Sequence, residues 1–253
     1  MLPFFIFTNI ILLTMKIALL GYGKMGKEIE KIALSRNNEI VIIIDINNQD
    51  EFTTENLSKA DVAIDFSVPA SAYTNILKCF EAGIPIVCGT TGWLEKIDEV
   101  KEKCKNENKA FFYASNFSIG VNIFFKLNKY LASLMGKFSD YQVEMEEVHH
   151  IHKLDAPSGT AITLAEGIVE NIQQKTGWIL DKPSDENNIG IKAIREGEVP
   201  GIHRIKYNSP VDFISIEHSA YNRQGFALGA VLAAEYMCGK TGFHSMGDML
   251  DID

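Results

Sequence analysis

Four cysteines in 253 residues, at positions 79, 88, 104 and 238, form no CxxC pair and no zinc-ligand spacing, so a zinc module is excluded and no metal site is expected. Reduced thiols in a cytoplasm fit that usage. Positive charge is also scarce. The 24 Lys and Arg against 33 Asp and Glu give a formal net charge of -9, which provides no broad cationic surface for nucleic acid or an anionic membrane. A membrane-length apolar run is missing too. Residues 1–14 are apolar but too short to span a bilayer, and they lack the basic opening and small-residue cleavage site of a secretory signal. A membrane anchor there would also lack a topogenic charge pattern. Met15-Lys16-Ile17-Ala18-Leu19-Leu20-Gly21 reads as a natural protein start, so residues 1–14 are taken as an upstream or non-native extension. What remains is ordinary for a soluble globular chain, at 46% hydrophobic and 23% charged residues, and long enough for two modest domains.

The first half alternates strand and helix patterns. Lys16 to Leu20 is a short apolar strand, and Gly21-Tyr22-Gly23-Lys24-Met25-Gly26 follows it directly in the form G-x-G-x-x-G. Such glycines permit a tight turn, close approach of a pyrophosphate and close helix packing, with the phosphates at the helix N-terminus. A second buried-type strand, Ile40 to Ile44, ends in Asp45, about twenty residues beyond the glycine loop, where a carboxylate can bind the adenosine ribose hydroxyls. That carboxylate would repel the ribose phosphate of NADP, which favours NADH slightly over NADPH.

Three further apolar runs, Val62 to Phe66, Pro85 to Cys88 and Ala110 to Tyr113, are separated by helical patterns near Ile76–Phe80 and from Trp93 to about Lys105. The alternation predicts a doubly wound, Rossmann-type parallel sheet with ligands at the carboxyl ends of its strands. Those ends carry Asp45, Gly89-Thr90-Thr91-Gly92 and Ala114-Ser115-Asn116-Phe117. Amides and hydroxyls of Gly89, Thr90 and Thr91 are suited to the nicotinamide ribose.

After an amphipathic helix over Gly120 to Met135 the pattern changes. Candidate strands are Tyr141 to Val148, Ile189 to Arg195, His203 to Tyr207 and Asp212 to Ser219, with one helix from Thr160 to about Gln173. Residues 174–188, polar and punctuated by Gly177 and Pro183, read as a surface loop. Phe226 to Met237 resumes a helical pattern. The expected organisation is a dinucleotide-binding domain of residues 15–118 and 226–253, with a smaller α+β domain for substrate and oligomerisation, residues 119–225, inserted in it.

The densest chemistry lies in Glu147-Val148-His149-His150-Ile151-His152-Lys153-Leu154-Asp155-Ala156-Pro157-Ser158-Gly159-Thr160, which holds three of the six histidines. A histidine is readily half-protonated near neutral pH, and a desolvated lysine approaches the same range. Together they can supply protons to a reacting anion. Free amides around Ser158, Gly159 and Thr160 at the following helix start would attract a carboxylate or phosphate.

This block resembles, without a gap, the E-x-H-H-x-x-K-x-D-x-P-S-G-T signature of the 4-hydroxy-tetrahydrodipicolinate (dihydrodipicolinate) reductase family. Gly89-Thr90-Thr91-Gly92 and Ala114-Ser115-Asn116-Phe117-Ser118 are similar to the family's cofactor-side motifs. The resemblance covers nearly everything from Met15 onward. It implies reduction of a cyclic imine dicarboxylate by NADH or NADPH in the diaminopimelate route to lysine. It also implies His149 as proton donor or acceptor, Lys153 as the donor that protonates the ring carbon beside the hydride-accepting position, and His150, Gly159 and Thr160 as carboxylate ligands. A homotetramer assembled through the second domain's sheet is implied as well. Two departures stand out. The glycine loop is one residue tighter than the family's common G-x-x-G-x-x-G, and Asp45 is followed by Ile46 where some members carry arginine.

Two other readings compete. A non-catalytic dinucleotide sensor would need no proton donor such as His149 or Lys153. A dehydrogenase of another amino acid or semialdehyde would have no reason to carry the whole block. An aldehyde-oxidising enzyme would want a nucleophilic cysteine, for which Cys88 is the one candidate on the rim, and its place in an apolar run favours a buried thiol.

Overall fold

The computed structural model describes residues 14–222 and 224–252. The expected extension lies outside the described residues except for Thr14. The chain divides into two compact units. One contains the described residues through Ser115 together with Ala230–Ser245, and the other contains Asn116–Gly229 and the residues from Met246 onward.

The first unit begins with β1 (Lys16–Leu20), α1 (Lys24–Ser35), β2 (Glu39–Ile44), α2 (Thr54–Leu57), β3 (Val62–Asp65), α3 (Pro69–Ala82), β4 (Ile86–Cys88), α4 (Ile97–Asn106) and β5 (Ala110–Tyr113). In the second unit follow α5 (Ile119–Met135), β6 (Gln142–His149), α6 (Gly159–Val169), β7 (Gly177–Leu180), β8 (Asn188–Arg195), β9 (Ile202–Asn208) and β10 (Phe213–Ser219). The chain then passes through α7 (Gln224–Met237) to β11 (Gly242–His244) of the first unit and α8 (Met246–Leu250) of the second.

The first unit's sheet is six-stranded in the order β11-β5-β4-β3-β1-β2, with every pairing parallel. Strand order reverses between β1 and β3, which in doubly wound sheets opens the ligand crevice. The central strands read as unbroken apolar runs because both faces are covered: Ile17 to Leu20 and all four residues of β3 are buried. On α1, Gly26, Ile29 and Ala33 recur at helical spacing and form its buried stripe. The α3 helix starts with Pro69 and ends at Gly83, whose φ of 73° is the left-handed stop that glycine adopts without strain. Edge-on contacts of Trp93 with Phe111 and Tyr113 help close the core beneath β4 and β5.

The second unit carries a five-stranded mixed sheet, β10-β9-β6-β8-β7, in which β6 pairs antiparallel with β9 and parallel with β8. Val143, Met145, Ile189, Ile191, Ile205 and Tyr207 bury one face in a core shared with α5 and α6. The opposite face carries cross-strand ion pairs, Arg204 with Glu146 and Glu217, and Lys192 with Glu146.

Here the loop expected over residues 174–188 is corrected. Gly177–Leu180 is the edge strand β7, paired in parallel with β8. Its three apolar residues, Trp178, Ile179 and Leu180, pair with an apolar stretch of β8, and one-sided pairing requires no longer run. His149 is the last residue of β6 rather than part of the loop. The short elements α2, β11 and α8 carried no periodic signal. Among the described residues no helix is long and apolar enough to cross a membrane.

One long-range ion pair ties α1 to the returning end of α7 within the first unit. Arg36 donates Nε and Nη2 to Glu235 at 2.9 and 2.7 Å, and Asn38 Nδ2 donates to the same carboxylate at 3.1 Å. Glu235→Ala is expected to destabilise the protein by about 1–2 kcal/mol by orphaning these half-buried donors, lowering Tm by roughly 2–5 °C. Thermal unfolding followed by circular dichroism checks this, and an unchanged Tm would contradict it.

Candidate active site

In the first unit the ends of β1, β2 and β3 surround a cavity of about 280 Å³ lined by Leu20, Gly21, Asp45, Ile46, Ser67 and Asn75 among others. Gly21 has φ 89°, and a Cβ there would stand 2.4 Å from the Phe66 carbonyl oxygen. Gly26 is equally constrained, because its Cβ would lie 2.3 Å from the Gly21 oxygen. The loop is therefore folded on itself, as close helix–strand packing requires. Gly23 differs. It is the N-cap of α1, makes no side-chain cap, and a Cβ there would meet nothing within 4 Å. The N-terminus of α1 has no acidic residue in its first turn, and Lys24 is exposed there. Such an end suits an anion. Tyr22 folds back to donate its hydroxyl to Glu30, while Met25 lies within α1.

The backbone of Asp45 is fixed while its carboxylate makes no hydrogen bond or ion pair among the described residues. Its amide donates to Asn48 Oδ1 at 2.7 Å, Asn48 Nδ2 donates to the Ile43 carbonyl at 2.8 Å, and Gln49 Nε2 donates to the Asp45 carbonyl at 2.7 Å. Free carboxylate, open helix end and cavity together fit a dinucleotide.

Sequence reasoning missed Asp65, the residue that organises the neighbouring rim. It is fully buried at the end of β3 and accepts from Thr90 Oγ1 at 2.7 Å, Asn75 Nδ2 at 2.8 Å and Cys88 Sγ at 3.5 Å. Burial pushes its carboxyl up, against the hydrogen bonds that favour the charged form. Thr90 Oγ1 in turn accepts the Ser67 amide at 2.9 Å, and the Thr90 carbonyl accepts Trp93 Nε1 at 2.7 Å. Gly89 is needed because a Cβ would strike the Phe66 ring at 2.3 Å. Thr91 is exposed. Burial raises the Cys88 thiol well above its ordinary value, which unsuits it as a nucleophile. Ala114 donates its amide to the Cys88 carbonyl at 3.4 Å, and Ser115 is exposed beside it. Asn116 and Phe117 open the second unit: Asn116 Oδ1 accepts the Ser118 amide at 2.9 Å, and Phe117 is buried.

In the second unit the histidine-rich block closes around one buried carboxylate. Glu147 is 0% exposed and accepts the Ser158 amide on both oxygens, each at 3.1 Å. Arg195 Nη2 lies 3.2 Å from its Oε1, and His149 Nδ1 lies 3.5 Å from its Oε2. Arg195 also donates to the Asp155 carbonyl at 2.6 Å and, through Nε, to the Lys153 carbonyl at 3.3 Å. Lys153 Nζ pairs with Asp155 at 2.8 Å, leaving two of its three N–H groups uncommitted. Lys153 also donates its amide to the His150 carbonyl at 3.1 Å, and His150 Nδ1 is buried without a partner. His152 is exposed and pairs with Glu198.

Ser158 caps α6, accepting the Ala161 amide on Oγ at 3.2 Å. The amides of Gly159 and Thr160, the first two residues of α6, have no hydrogen-bond acceptor among the described residues. Two donors therefore remain at this helix start for an external carboxylate.

His149 is mostly buried. Burial lowers its proton affinity, the Glu147 charge raises it, and Lys153 and Arg195 lower it again, for a net fall below the ordinary histidine value. His203, on the adjacent strand β9, packs its ring edge-on against His149 at 5.1 Å. Burial takes His203 down to about 3, so it is neutral at neutral pH. Donor atoms of Glu147, His149 and His203 lie within 4.8 Å of one another. With Arg195 on Oε1 and the Ser158 amide shared between both Glu147 oxygens, the arrangement suits proton handling better than metal ligation. Arg195 and His203 were not singled out from sequence, since each is a lone polar residue in its own strand.

The family model described as "Dihydrodipicolinate reductase, N-terminus" matches residues 15–117, and "Dihydrodipicolinate reductase, C-terminus" matches residues 120–250. A 4-hydroxy-tetrahydrodipicolinate reductase of Christiangramia forsetii is 53% identical over 238 residues, covering 93% of this chain and 98% of that protein. One from Methanoculleus marisnigri is 34% identical over 245 residues, covering 91% of this chain and 96% of that one. Among solved structures, dipicolinate-bound dihydrodipicolinate reductase from Paenisporosarcina sp. TG-14 superposes with TM-score 0.75 at 25% identity, covering 93% of this chain and 98% of that chain.

The tight glycine loop gives a direct test. Gly21→Ala is expected to weaken dinucleotide affinity by about tenfold or more, because the left-handed backbone and the Phe66 contact both oppose a methyl group. NADH fluorescence titration measures it, and native affinity would show that the loop tolerates a Cβ.

Proposed function

The chain belongs to the dihydrodipicolinate reductase family, and from that premise we propose how its residues divide the work of the reaction. The enzyme reduces 4-hydroxy-tetrahydrodipicolinate, by way of dihydrodipicolinate, to tetrahydrodipicolinate with NADH or NADPH, a step of diaminopimelate and lysine biosynthesis. The bound nicotinamide supplies the hydride. Gly21 to Gly26 and Asp45 hold the dinucleotide, with Gly89, Thr90, Thr91 and the Ala114-Ser115-Asn116-Phe117 stretch shaping the rim on the nicotinamide side. NADH is the favoured form. Its support is the unpaired carboxylate of Asp45 beside the cavity, which suits ribose hydroxyls and repels a phosphate, and Ile46, 81% exposed and without positive charge, in the next position.

The observation that carries the catalytic reading is the closure of the block around Glu147, which gathers His149, Lys153 and two acceptor-free amides on one strand–loop–helix segment. The amides of Gly159 and Thr160, with His150 nearby in sequence, bind one substrate carboxylate. The Lys153 ammonium donates the proton that completes reduction at carbon, a role its two uncommitted N–H groups permit. His149 starts neutral, held so by burial, and its proton affinity rises when a dianion binds, so that it can take up and return a proton beside the ring. The Paenisporosarcina relative binds dipicolinate, itself a dicarboxylate, in keeping with this substrate class.

The same reading makes the first unit the dinucleotide-binding domain and the second the substrate and oligomerisation domain of a cytoplasmic homotetramer. The open charged face of the second sheet, with its exposed edge strand β10, supports assembly there, and the four unpaired cysteines suit the cytoplasm.

These roles are separable in kinetics. With substrate generated in the cuvette by the preceding synthase and oxidation followed by nicotinamide absorbance, His149→Ala and Lys153→Ala should each lose about a hundredfold or more in kcat at nearly native NADH affinity. Equal loss of NADH binding would contradict the assignment. Asp45→Ala should weaken NADH more than NADPH in the same assay, and the opposite ranking would remove the ribose-hydroxyl role.

A further inference from the structure

Of the groups around the substrate-side site, Glu147 has no face to offer a ligand and Arg195 leaves only 21% of its side chain exposed, yet together they touch the segments that carry His149, Lys153 and the start of α6. Glu147 is wholly enclosed. Through the Ser158 amide it fixes the start of α6, which presents Gly159 and Thr160, and through Oε2 it stands beside His149 Nδ1. Arg195 spreads its guanidinium over the other side of the loop: Nη2 reaches Glu147 Oε1 and the Asp155 carbonyl, and Nε reaches the Lys153 carbonyl. Strand register holds both in place, because His149 lies opposite Arg195 in the β6–β8 ladder and Glu147 opposite His203 in the β6–β9 ladder.

We propose that Glu147 and Arg195 are paired positioning residues with separable duties, Glu147 orienting His149 and Arg195 carrying the backbone from which Lys153 reaches the substrate. The assignment rests on the roles given above to His149 and Lys153. Glu147 Oε2 stands 3.5 Å from Nδ1, which is buried and has no hydrogen-bond partner among the described residues, near enough to orient the imidazole by its charge and leave Nε2 to face the reacting ring. Nε2 is sterically confined too, since a Cβ on Gly201 would come within 3.0 Å of it.

The charge of Glu147 also counters burial and the two cations. Facing His149 are Glu147 on β6, Lys153 and Asp155 on the loop, Arg195 on β8 and the neutral His203 on β9, while His218 on β10 faces His203. Removing the Glu147 charge therefore lowers the proton affinity of His149. Arg195 acts differently, since its donors to the Lys153 and Asp155 carbonyls are a planar fork that a lysine amine cannot reproduce, although a lysine can keep the charge opposite Glu147.

The test compares Glu147→Gln and Arg195→Lys with His149→Ala and Lys153→Ala in the coupled assay across pH, with NADH affinity measured for each. For Glu147→Gln the midpoint of the kcat/KM profile is expected to move about one unit toward lower pH. Arg195→Lys is expected to keep the wild-type midpoint and lose about tenfold to a hundredfold in kcat, because a displaced proton donor is a geometric loss. A wild-type midpoint in Glu147→Gln, or wild-type kcat in Arg195→Lys, overturns the assignment. If His149→Ala and Lys153→Ala keep full activity, the failure lies in the underlying catalytic reading. If they lose activity while the positioning variants behave as wild type, it lies in this inference alone. Should Glu147→Gln not fold, Glu147→Asp keeps the charge and shortens its reach. Reduced kcat at native NADH affinity then supports the proposal, and unchanged kcat overturns it.

Discussion

The substrate-side site depends on a single buried charge. Enclosing a carboxylate costs several kcal/mol unless donors replace its water, and Glu147 meets that demand with the Ser158 amide and the Arg195 guanidinium, while the His149 ring stands 3.5 Å away. Each compensating donor belongs to a segment that would otherwise be free to wander. The amide comes from the start of α6 and the guanidinium from the end of β8. Satisfying the charge and assembling the site are therefore one event. A sensor that merely bound a dinucleotide would have no use for such an arrangement in its other unit, so the buried carboxylate itself argues for chemistry.

A second buried carboxylate plays a comparable part in the first unit. Asp65 receives a hydroxyl, an amide and a thiol, and thereby fixes Asn75 of α3, Cys88 at the end of β4 and Thr90 at the start of the rim. Its donors are neutral and burial dominates, so its carboxyl is displaced upward. The donors to Glu147, by contrast, include a guanidinium. The difference accords with the ligands proposed for each site, since a rim for ribose hydroxyls needs only neutral groups, whereas a pocket for a dianion would be surrounded by cations that a structural carboxylate partly offsets.

The parallel sheet was legible because its strands are buried on both faces, and a short continuous apolar run such as Ile17 to Leu20 or Val62 to Ile64, bounded by turn residues, fits little but a doubly covered strand. The glycine loop, Asp45 and the stretch from Glu147 to Thr160 could be read because their residue types are adjacent in the chain. Other features escaped. The β7 strand offers only Trp178, Ile179 and Leu180 inside a polar stretch, and an edge strand takes much of its definition from a partner not adjacent in sequence. Arg195 and His203 reach the site by strand register from far along the chain, Arg195 lying 48 residues from the Glu147 it contacts. Glu147 was visible at the head of the block, but its task could not be read, since a carboxylate's role is fixed by which donors fold over it. Asp65 was hidden for the same reason, lying within an apolar run that ended one residue after it.

The two units also build their helix N-termini in opposite ways, and the contrast accords with the ligands proposed for them. At α1 the cap is Gly23, with no side-chain acceptor, no acid in the first turn and open space where a Cβ would be. That end is left unneutralised by the protein itself, the condition under which a large anion such as a pyrophosphate gains most from free amides and the helix dipole. At α6 the protein supplies its own anion: Ser158 caps the helix through Oγ while its amide is taken by Glu147. Only the Gly159 and Thr160 amides remain, a smaller opening suited to a single carboxylate group. Filling part of the α6 terminus from within weakens its general attraction for anions and leaves recognition to geometry. If α6 holds the substrate carboxylate as proposed, a pocket selecting a ring dicarboxylate among many cellular anions needs that restraint, whereas a dinucleotide, gripped at several points along its length, does not.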